Sequence, residues 1–274
     1  MRSESLDVDF RTHYGSGVEE ERLLKGTSRL EFHRTKQILS RYLPKKRHAI
    51  ILDVGGGPGY YSRWLAGQSY SVHLVDVMPL HIRQAREMEK RSKTPLASIS
   101  LGDARKLDFP DAEAILLFGP MYHLIRKKER MAALSEAFRV LKPNGMIFVA
   151  VISRFASALD GSFNGFISDR EFMKIVKQDL KDGQHRNHTK KVEYFTTAFF
   201  HHPNELESEM KEAKFKAVRI LAVTGFAWLL PRFSEYWANH ELKARLLSIL
   251  ERIETEPSII GISDHLLGIG RKGK

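Results

Sequence analysis

Three alternate glycines after a short apolar run are the residues of this chain that most directly suggest chemistry. Residues 50–54 predict a buried strand, and Gly55, Gly57 and Gly59 follow it, ahead of a helical pattern. Glycine lets the backbone turn sharply and approach a ligand closely, and the first turn of a helix offers unpaired N–H groups. The pattern therefore predicts a site for a small anionic or nucleoside-bearing ligand.

The spacing of these glycines disfavours a nicotinamide dinucleotide. A loop of the form Gly-x-Gly-x-x-Gly would place its third glycine at position 60, which is Tyr60 here. Asp76 closes the strand 72–76, where a carboxylate can accept hydrogen bonds from both hydroxyls of a ribose. A dehydrogenase would share that carboxylate, so Asp76 alone does not distinguish a nicotinamide dinucleotide from another nucleoside-bearing ligand.

Taken in order, these motifs resemble those of the class I S-adenosylmethionine-dependent methyltransferases. The shared features are Asp53-x-Gly55-x-Gly57-x-Gly59, Asp76, Gly102-Asp103-Ala104, the segment from Leu117 to Leu124 and the turn from Val140 to Gly145. The resemblance implies S-adenosylmethionine as cofactor, with the glycine loop around its methionine end. It also implies that Asp103 accepts from the adenine amino group and that the Ala104 N–H faces the ring. The cofactor-binding residues implied in this way are Asp53, Gly55, Gly57, Gly59, Asp76, Val77, Asp103, Ala104 and Phe118.

The N-terminal segment supplies two further candidates for the cofactor site. Tyr14 would suit a flap over the cofactor, and Arg34 or Arg22 could form a bidentate pair with the methionine carboxylate. A solvated helix start explains this segment equally well. We expect residues 1–45 to form a helical flap within a single domain that spans residues 1–274.

Tyr122 and His123 are the candidate catalytic residues. They follow the fourth predicted strand at the carboxyl edge of the sheet, where open α/β sheets bind ligands. The methyl group of S-adenosylmethionine is already electrophilic, so transfer needs alignment and, for some acceptors, a base. His123 is a candidate base, although a histidine there can equally hydrogen-bond the backbone or line the pocket. His201 and His202 could face the acceptor or pack at a helix start.

Alternating strand and helix patterns predict an α/β fold with parallel βαβ units. With the resemblance, they predict a three-layer sandwich around a seven-stranded, mostly parallel sheet whose last strand, near 265–269, is antiparallel. The N-terminal helix should open with a capping box at 28–31. Residues 153–202 break the rhythm after the fifth strand and predict an insertion or lid over the acceptor site, with a second capping box at 168–171.

Composition disfavours several other classes of protein. The 274 residues include no cysteine, so a disulfide framework and a thiolate metal site are excluded, and no spacing of His, Asp and Glu predicts a metal. The start lacks the apolar core of a signal peptide, and no apolar run approaches the ~18 residues of a membrane span, so we expect a cytoplasmic protein. The net charge of +11 suits polyanions, but the basic residues are scattered and lie outside any nucleic-acid motif.

The sequence therefore predicts a methyltransferase that acts on a small-molecule acceptor. Aromatic residues concentrate in and after the insertion, which favours an apolar or aromatic acceptor, although core packing explains many of them. An RNA or other nucleic-acid methyltransferase is the nearest alternative because the same fold and charge would suit it. A non-catalytic module that keeps only the cofactor loop is a further one. The sequence does not predict the acceptor, the methylated atom or the oligomeric state.

Overall fold

The computed structural model of the chain describes residues 22–109, 111–189 and 191–274. Its strands are β1 (Ile50–Val54), β2 (Ser71–Asp76), β3 (Ser98–Leu101), β4 (Ala112–Phe118), β5 (Leu141–Ile152), β6 (Gln184–His185), β7 (Ala198–Phe199), β8 (Lys216–Ala222) and β9 (His265–Arg271). Its helices are α1 (Ser28–Tyr42), α2 (Tyr60–Gly67), α3 (Pro79–Glu89), α4 (Pro120–His123), α5 (Lys127–Val140), α6 (Ala156–Asn164), α7 (Arg170–Asp182), α8 (Pro203–Glu212), α9 (Phe233–Ala238) and α10 (His240–Ile253). None of these helices is long and apolar enough to cross a membrane.

Seven strands pair into one sheet in the order β3-β2-β1-β4-β5-β9-β8. Strands β1 to β5 are parallel, and β9 runs antiparallel to both β5 and β8. This topology confirms the predicted α/β fold with a mostly parallel sheet and an antiparallel last strand. The reversal has a consequence for the site, because β9 begins at the edge where the parallel strands end. His265 of β9 accordingly pairs with Ile152 of β5.

Alternating side chains along each strand build a core on both faces of the sheet. Leu52 and Val54 of β1 pack in the cluster that includes α5 and α8, while Ile51 packs in the cluster that includes α1, α2 and α3. The result is three layers, with the sheet in the middle. Asp53 shares the face of Ile51, so its carboxylate points toward α2 and lies in the apolar core.

Both predicted capping boxes differ from the structure. At the start of α1, Thr27 has φ −72° and ψ −18° and makes no side-chain capping bond, so the box predicted at 28–31 is wrong. A side-chain cap needs an extended backbone at the cap residue, and Thr27 is already helical. In the second segment Asp169 is the cap, and its carboxylate accepts from the N–H of Glu171.

A buried ion pair between α5 and α8 contacts the end of the segment 153–202, hereafter the insertion. Arg130 of α5 donates to the Glu209 carboxylate of α8 from Nη2 at 2.6 Å and from Nε at 3.1 Å. The Arg130 guanidinium also lies 3.6 Å from the centre of the Phe199 ring, and Nε2 of His201 lies 3.3 Å from Glu209. Because Phe199 and His201 belong to the insertion, this network fixes its last residues against α5 and α8.

We expect Glu209→Ala to lower the free energy of unfolding by about 3–5 kcal/mol, because Arg130 is left as an uncompensated buried charge. Burial alone would raise the pKa of Glu209, but hydrogen bonds from His201 and Arg130 outweigh it and lower the pKa to about 2. The stabilisation is therefore complete above about pH 4.5 and is lost as the pH falls toward about 2.

Urea unfolding between pH 7 and pH 3 measures this effect. The matched control is Glu212→Ala, which removes an exposed ion pair with Lys127 from the same helix and should change the stability far less. Equal losses in the two variants would contradict the role given to Glu209.

Candidate cofactor and acceptor site

The carboxyl ends of β1 to β4 meet at one edge of the sheet and surround a cavity, here called the edge cavity. Its lining residues are Val54, Gly55, Gly57, Asp76, Val77, His81, Gly102, Asp103, Ala104, Arg105, Gly119, Pro120, Tyr122, His123 and Leu124. The structure thus brings together eight residues predicted from the sequence: Gly55, Gly57, Asp76, Val77, Asp103, Ala104, Tyr122 and His123.

The glycines of the loop after β1 have different roles. Gly55 has φ +77°, and a Cβ there would stand 2.3 Å from the carbonyl oxygen of Phe118, so any side chain would collide with the loop after β4. Gly57 has φ +56°, and a Cβ there would meet no described atom within 4 Å, so the missing side chain leaves the cavity wall open. Gly59, with φ +90°, caps α2 and borders none of the three cavities around the loop, which gives it a backbone role.

Asp76 is the hydrogen-bonding centre of the edge cavity. Its Oδ2 accepts the N–H of Gly57 at 2.9 Å, and its Oδ1 accepts the N–H of Met78 at 2.8 Å and faces Nδ1 of His81 at 3.1 Å. The carboxylate is therefore fixed in orientation by the protein itself. A carboxylate offers about four lone-pair sites, so these three contacts leave capacity on Oδ2 for one ligand hydroxyl.

Asp53 lies beneath the glycine loop and does not border the edge cavity. It is fully buried, and its Oδ2 accepts from the Ser62 hydroxyl at 2.6 Å. Its Oδ1 has no hydrogen-bond partner within the described part of the chain. Burial raises the pKa of Asp53 to about 6, an effect that the Ser62 hydrogen bond opposes and the Asp76 carboxylate reinforces. Burying an ionised carboxylate costs free energy of folding, and the chain nevertheless places one directly under the loop.

Asp103 borders the edge cavity, but Arg105 already engages its carboxylate. Arg105 donates from Nη2 at 2.6 Å, from Nε at 3.0 Å and from its backbone N–H at 2.8 Å. Arg105 also pairs with Glu129 at 3.1 Å. Burial alone would raise the pKa of Asp103, but the hydrogen bonds from Arg105 outweigh it and lower the pKa. An adenine amino group would therefore share this carboxylate with Arg105.

A second cavity, the loop cavity, lies on the other side of the glycine loop. It is lined by Leu23, Glu31, Thr35, Gly55, Gly56, Gly57, Pro58, Tyr60, Tyr61, Phe118, Tyr122, Ala150, Val223, His265, Leu266 and Leu267. Phe118, predicted as a cofactor residue, lies here. Arg34 does not, because its guanidinium is fully buried in an ion pair with Glu254 at the end of α10. The structure therefore contradicts the assignment of Arg34 to the methionine carboxylate, and Tyr14 lies outside the described residues.

A third cavity, the insertion cavity, lies between the sheet edge and the insertion. It is lined by Thr27, Tyr122, Ile152, Ala156, Ser157, Asp160, Phe172, His185, Glu193, Tyr194, Phe195, Phe200, Trp228, Asp264 and His265. Tyr122 borders all three cavities, and His265 borders the loop and insertion cavities. Molecules in these two cavities would meet beside Tyr122 and His265.

His265 is a site residue that the sequence interpretation missed. Its Nδ1 lies 3.1 Å from Asp264 Oδ2, and its Nε2 lies 3.8 Å from Glu31 Oε2. Burial alone would raise the pKa of Asp264, but the charge of His265 and hydrogen bonds from His265 and Thr224 lower it. The available signal was the strand direction, since the first residue of an antiparallel β9 must lie at the edge where β5 ends.

The other candidate histidines occupy different places. His123 lines the edge cavity, with its ring centre 4.5 Å from that of Tyr122. His201 contacts Glu209, and His202 caps α8 by accepting the N–H of Asn204. Neither of these two lines the cavities described above. Within the described ranges, no group of three or more His, Asp or Glu side chains is placed to hold a metal ion.

Comparison with known proteins agrees with this geometry. Residues 51–145 match a methyltransferase-domain family. The chain is 30% identical to the ubiquinone/menaquinone biosynthesis C-methyltransferase UbiE of Neisseria meningitidis over 173 aligned residues. The alignment covers 61% of this chain and 67% of that protein. This chain belongs to the class I S-adenosylmethionine-dependent methyltransferases. An S-adenosylmethionine-dependent methyltransferase from Methanosarcina mazei has a similar structure, with a TM-score of 0.57 at 20% identity, covering 86% of this chain and 97% of that one. The CcbJ methyltransferase of Streptomyces caelestis has a TM-score of 0.56 at 14% identity, covering 88% and 89% of the two chains.

Three observations fit this methyltransferase to its cofactor. The wall at Gly57 is open, Asp76 keeps acceptor capacity for a hydroxyl, and the buried carboxylate of Asp53 lies under the loop, where it would attract a positively charged sulfonium. We expect the adenosine end in the edge cavity and the methionine end in the loop cavity, because Gly55 and Gly57 border both.

Asp76→Asn is expected to weaken S-adenosylhomocysteine binding by at least about tenfold, because the amide loses an acceptor oxygen and turns an NH2 group toward surrounding donors. Isothermal titration measures the affinity. Asp108→Asn, which changes an exposed aspartate after β3, is the control and should leave it unchanged. An unaltered affinity in a folded Asp76→Asn variant would argue against this placement of the ribose.

Asp53→Asn should stabilise the free enzyme at pH 7.5 by up to about 3 kcal/mol and leave it little changed near pH 4. The sign follows from a folded pKa of about 6 above the ordinary 3.8, so the carboxyl's stabilisation is complete below about 3.8 and is lost as the pH rises through about 6. The same change should weaken the binding of S-adenosylmethionine more than the binding of S-adenosylhomocysteine, whose sulfur is uncharged. Urea unfolding at both pH values and titration of both ligands test this, and an unchanged affinity ratio would show that the charge does not act on the sulfonium.

Proposed function

We propose that this methyltransferase acts on a small molecule with an apolar or aromatic body, bound in the insertion cavity. The observation that supports the proposal most directly is the shared wall of Tyr122 and His265, where the insertion cavity meets the loop cavity. The insertion adds apolar side chains such as Phe172 and Phe195 to the lining. Aromatic walls suit a flat or apolar acceptor.

The bound cofactor supplies an electrophilic methyl group, and the protein has to align the acceptor atom with it and exclude water. Tyr122 is placed for the alignment because it borders all three cavities. His123 borders the edge cavity and its ring contacts that of Tyr122, so it is the candidate base for an acceptor that must lose a proton. An acceptor that needs no base would use Tyr122 for orientation alone.

The insertion, residues 153–202, is proposed as the lid of the acceptor site. It contributes nine of the lining residues of the insertion cavity, namely Ala156, Ser157, Asp160, Phe172, His185, Glu193, Tyr194, Phe195 and Phe200. Residues 1–45 are proposed as a flap over the cofactor within the single domain. In support, Glu31 and Thr35 of α1 line the loop cavity.

Two alternatives predict different outcomes. A nucleic-acid methyltransferase would bring phosphates to the acceptor site, where Asp160, Glu193 and Asp264 would repel them. The relatives of this chain named for ubiquinone and menaquinone biosynthesis also favour a small acceptor. A non-catalytic module would bind S-adenosylmethionine without turnover. Methylation of RNA by the purified protein would favour the first alternative, and cofactor binding without turnover on any acceptor would favour the second.

Incubation with S-adenosylmethionine and a panel of small aromatic and apolar acceptors should yield a methylated product and equimolar S-adenosylhomocysteine, detected by mass spectrometry. Tyr122→Phe should lower kcat on the best acceptor by at least about tenfold and leave S-adenosylhomocysteine affinity within about threefold. Tyr236→Phe, an exposed tyrosine of α9, is the matched control. An unchanged kcat in His123→Ala would show that His123 is not the base. An unchanged kcat in Tyr122→Phe would show that the tyrosine hydroxyl has no role in the reaction and that the ring only packs.

A further inference from the structure

The insertion cavity has an unexpected charge for this protein. The chain carries 44 Lys and Arg residues against 33 Asp and Glu residues. The described lining of the insertion cavity nevertheless contains Asp160, Glu193 and Asp264 and no lysine or arginine. These carboxylates come from separate segments, namely α6, the turn at Val192–Tyr194 and the residue before β9. Their convergence on one cavity therefore comes from the fold rather than from an acidic run in the sequence.

The histidines of the lining do not cancel this charge. His265 lies beside Asp264, with Nδ1 and Oδ2 3.1 Å apart, so at most it balances that carboxylate. His185 lies 2.9 Å from Asp179, which is a further acidic group behind the cavity wall. Among the described residues of the lining, Asp160 and Glu193 are left as the excess negative charge. Burial raises the pKa of Asp160, a hydrogen bond from Asn164 opposes the rise, and the nearby Asp264 adds to it.

Aromatic rings form most of the rest of the wall. Six of them line the cavity: Tyr122, Phe172, Tyr194, Phe195, Phe200 and Trp228. Hydrogen bonds hold two of these rings in place, since Trp228 donates from Nε1 to the Ile262 carbonyl at 2.9 Å and the Tyr194 hydroxyl donates to Asp169 at 2.8 Å. Rigid aromatic faces beside carboxylates attract a cation through both the ring quadrupole and the full charge.

We propose that the acceptor of this enzyme carries a cationic nitrogen on an aromatic or apolar body, and that Asp160, Glu193 and the aromatic rings of the insertion cavity recognise that nitrogen. This inference rests on the proposed function, because it assigns the acceptor to the insertion cavity. The cationic nitrogen is the recognised group. While it remains protonated it has no lone pair, so the atom that accepts the methyl is another atom, or the nitrogen first loses its proton.

The test uses the full chain saturated with S-adenosylhomocysteine and about ten pairs of ligands that share a skeleton and differ in one group, such as tyramine with a protonated amine and tyrosol with a hydroxyl. Calorimetric titration should show at least one amine bound ten or more times more tightly than its alcohol partner. The double variant Asp160→Asn, Glu193→Gln should reduce that preference to threefold or less. Glu171→Gln changes an exposed glutamate of the insertion and should preserve it.

A panel in which no amine exceeds its alcohol partner tenfold would overturn the inference, as would an amine preference that survives the double variant. These outcomes are separable from the failure of the proposed function. Methylation of neutral or anionic acceptors with no amine preference would support the proposed function and contradict the cationic acceptor. Selective amine binding without any methyl transfer would keep the cation site and remove the proposed function.

Discussion

The hydrogen bond from the Gly57 N–H to the Asp76 carboxylate is the contact on which the site depends. It joins the loop after β1 to the end of β2, and on the other side Gly55 packs so closely on the Phe118 carbonyl that no side chain fits between them. The loop is therefore fixed between β2 and β4, across the carboxyl ends of the parallel strands. Because it is fixed there, it separates the edge cavity from the loop cavity and exposes its own backbone to both.

The acceptor side of the site depends on a different contact, the buried pair of Arg130 and Glu209. Arg130 also donates to the carbonyl of Ile125, just after α4, which carries Tyr122. One guanidinium thus contacts the residues that directly follow α4 and, through the Phe199 ring, the end of the insertion. Buried ion pairs contribute little net stability compared with apolar packing, but breaking one is costly. We therefore expect this pair to matter more for the position of the insertion than for the net stability of the fold.

Sequence patterns predicted the local features and missed the long-range ones. The strands, the glycine loop and Asp76 are encoded in segments shorter than 30 residues, where periodicity and spacing carry the information. Arg34 looked available for a ligand because its partner, Glu254, is 220 residues away in the sequence. His265 was overlooked because its importance depends on the direction of β9 and not on its neighbours. The Asp103 carboxylate was recognised, but its pairing with Arg105 depends on side-chain geometry that no motif contains.

The electrostatics of the three cavities are consistent with a cationic acceptor beside a cationic cofactor. The net charge of +11 acts weakly inside the insertion cavity, since ionic screening limits the reach of distant surface charges to about 8 Å at physiological salt, whereas the carboxylates of the lining act at shorter range. Asp53 lies under the cofactor loop, and Asp160 and Glu193 line the insertion cavity. The sulfonium of the cofactor and the cationic nitrogen of the acceptor would therefore each have a negative partner. Methyl transfer converts the sulfonium into an uncharged thioether. The positive charge passes to the methylated atom and leaves with the proton that this atom releases, so the repulsion between the two ligands would fall. Loss of that repulsion would favour the products, and the separated carboxylates would allow both reactants to bind first.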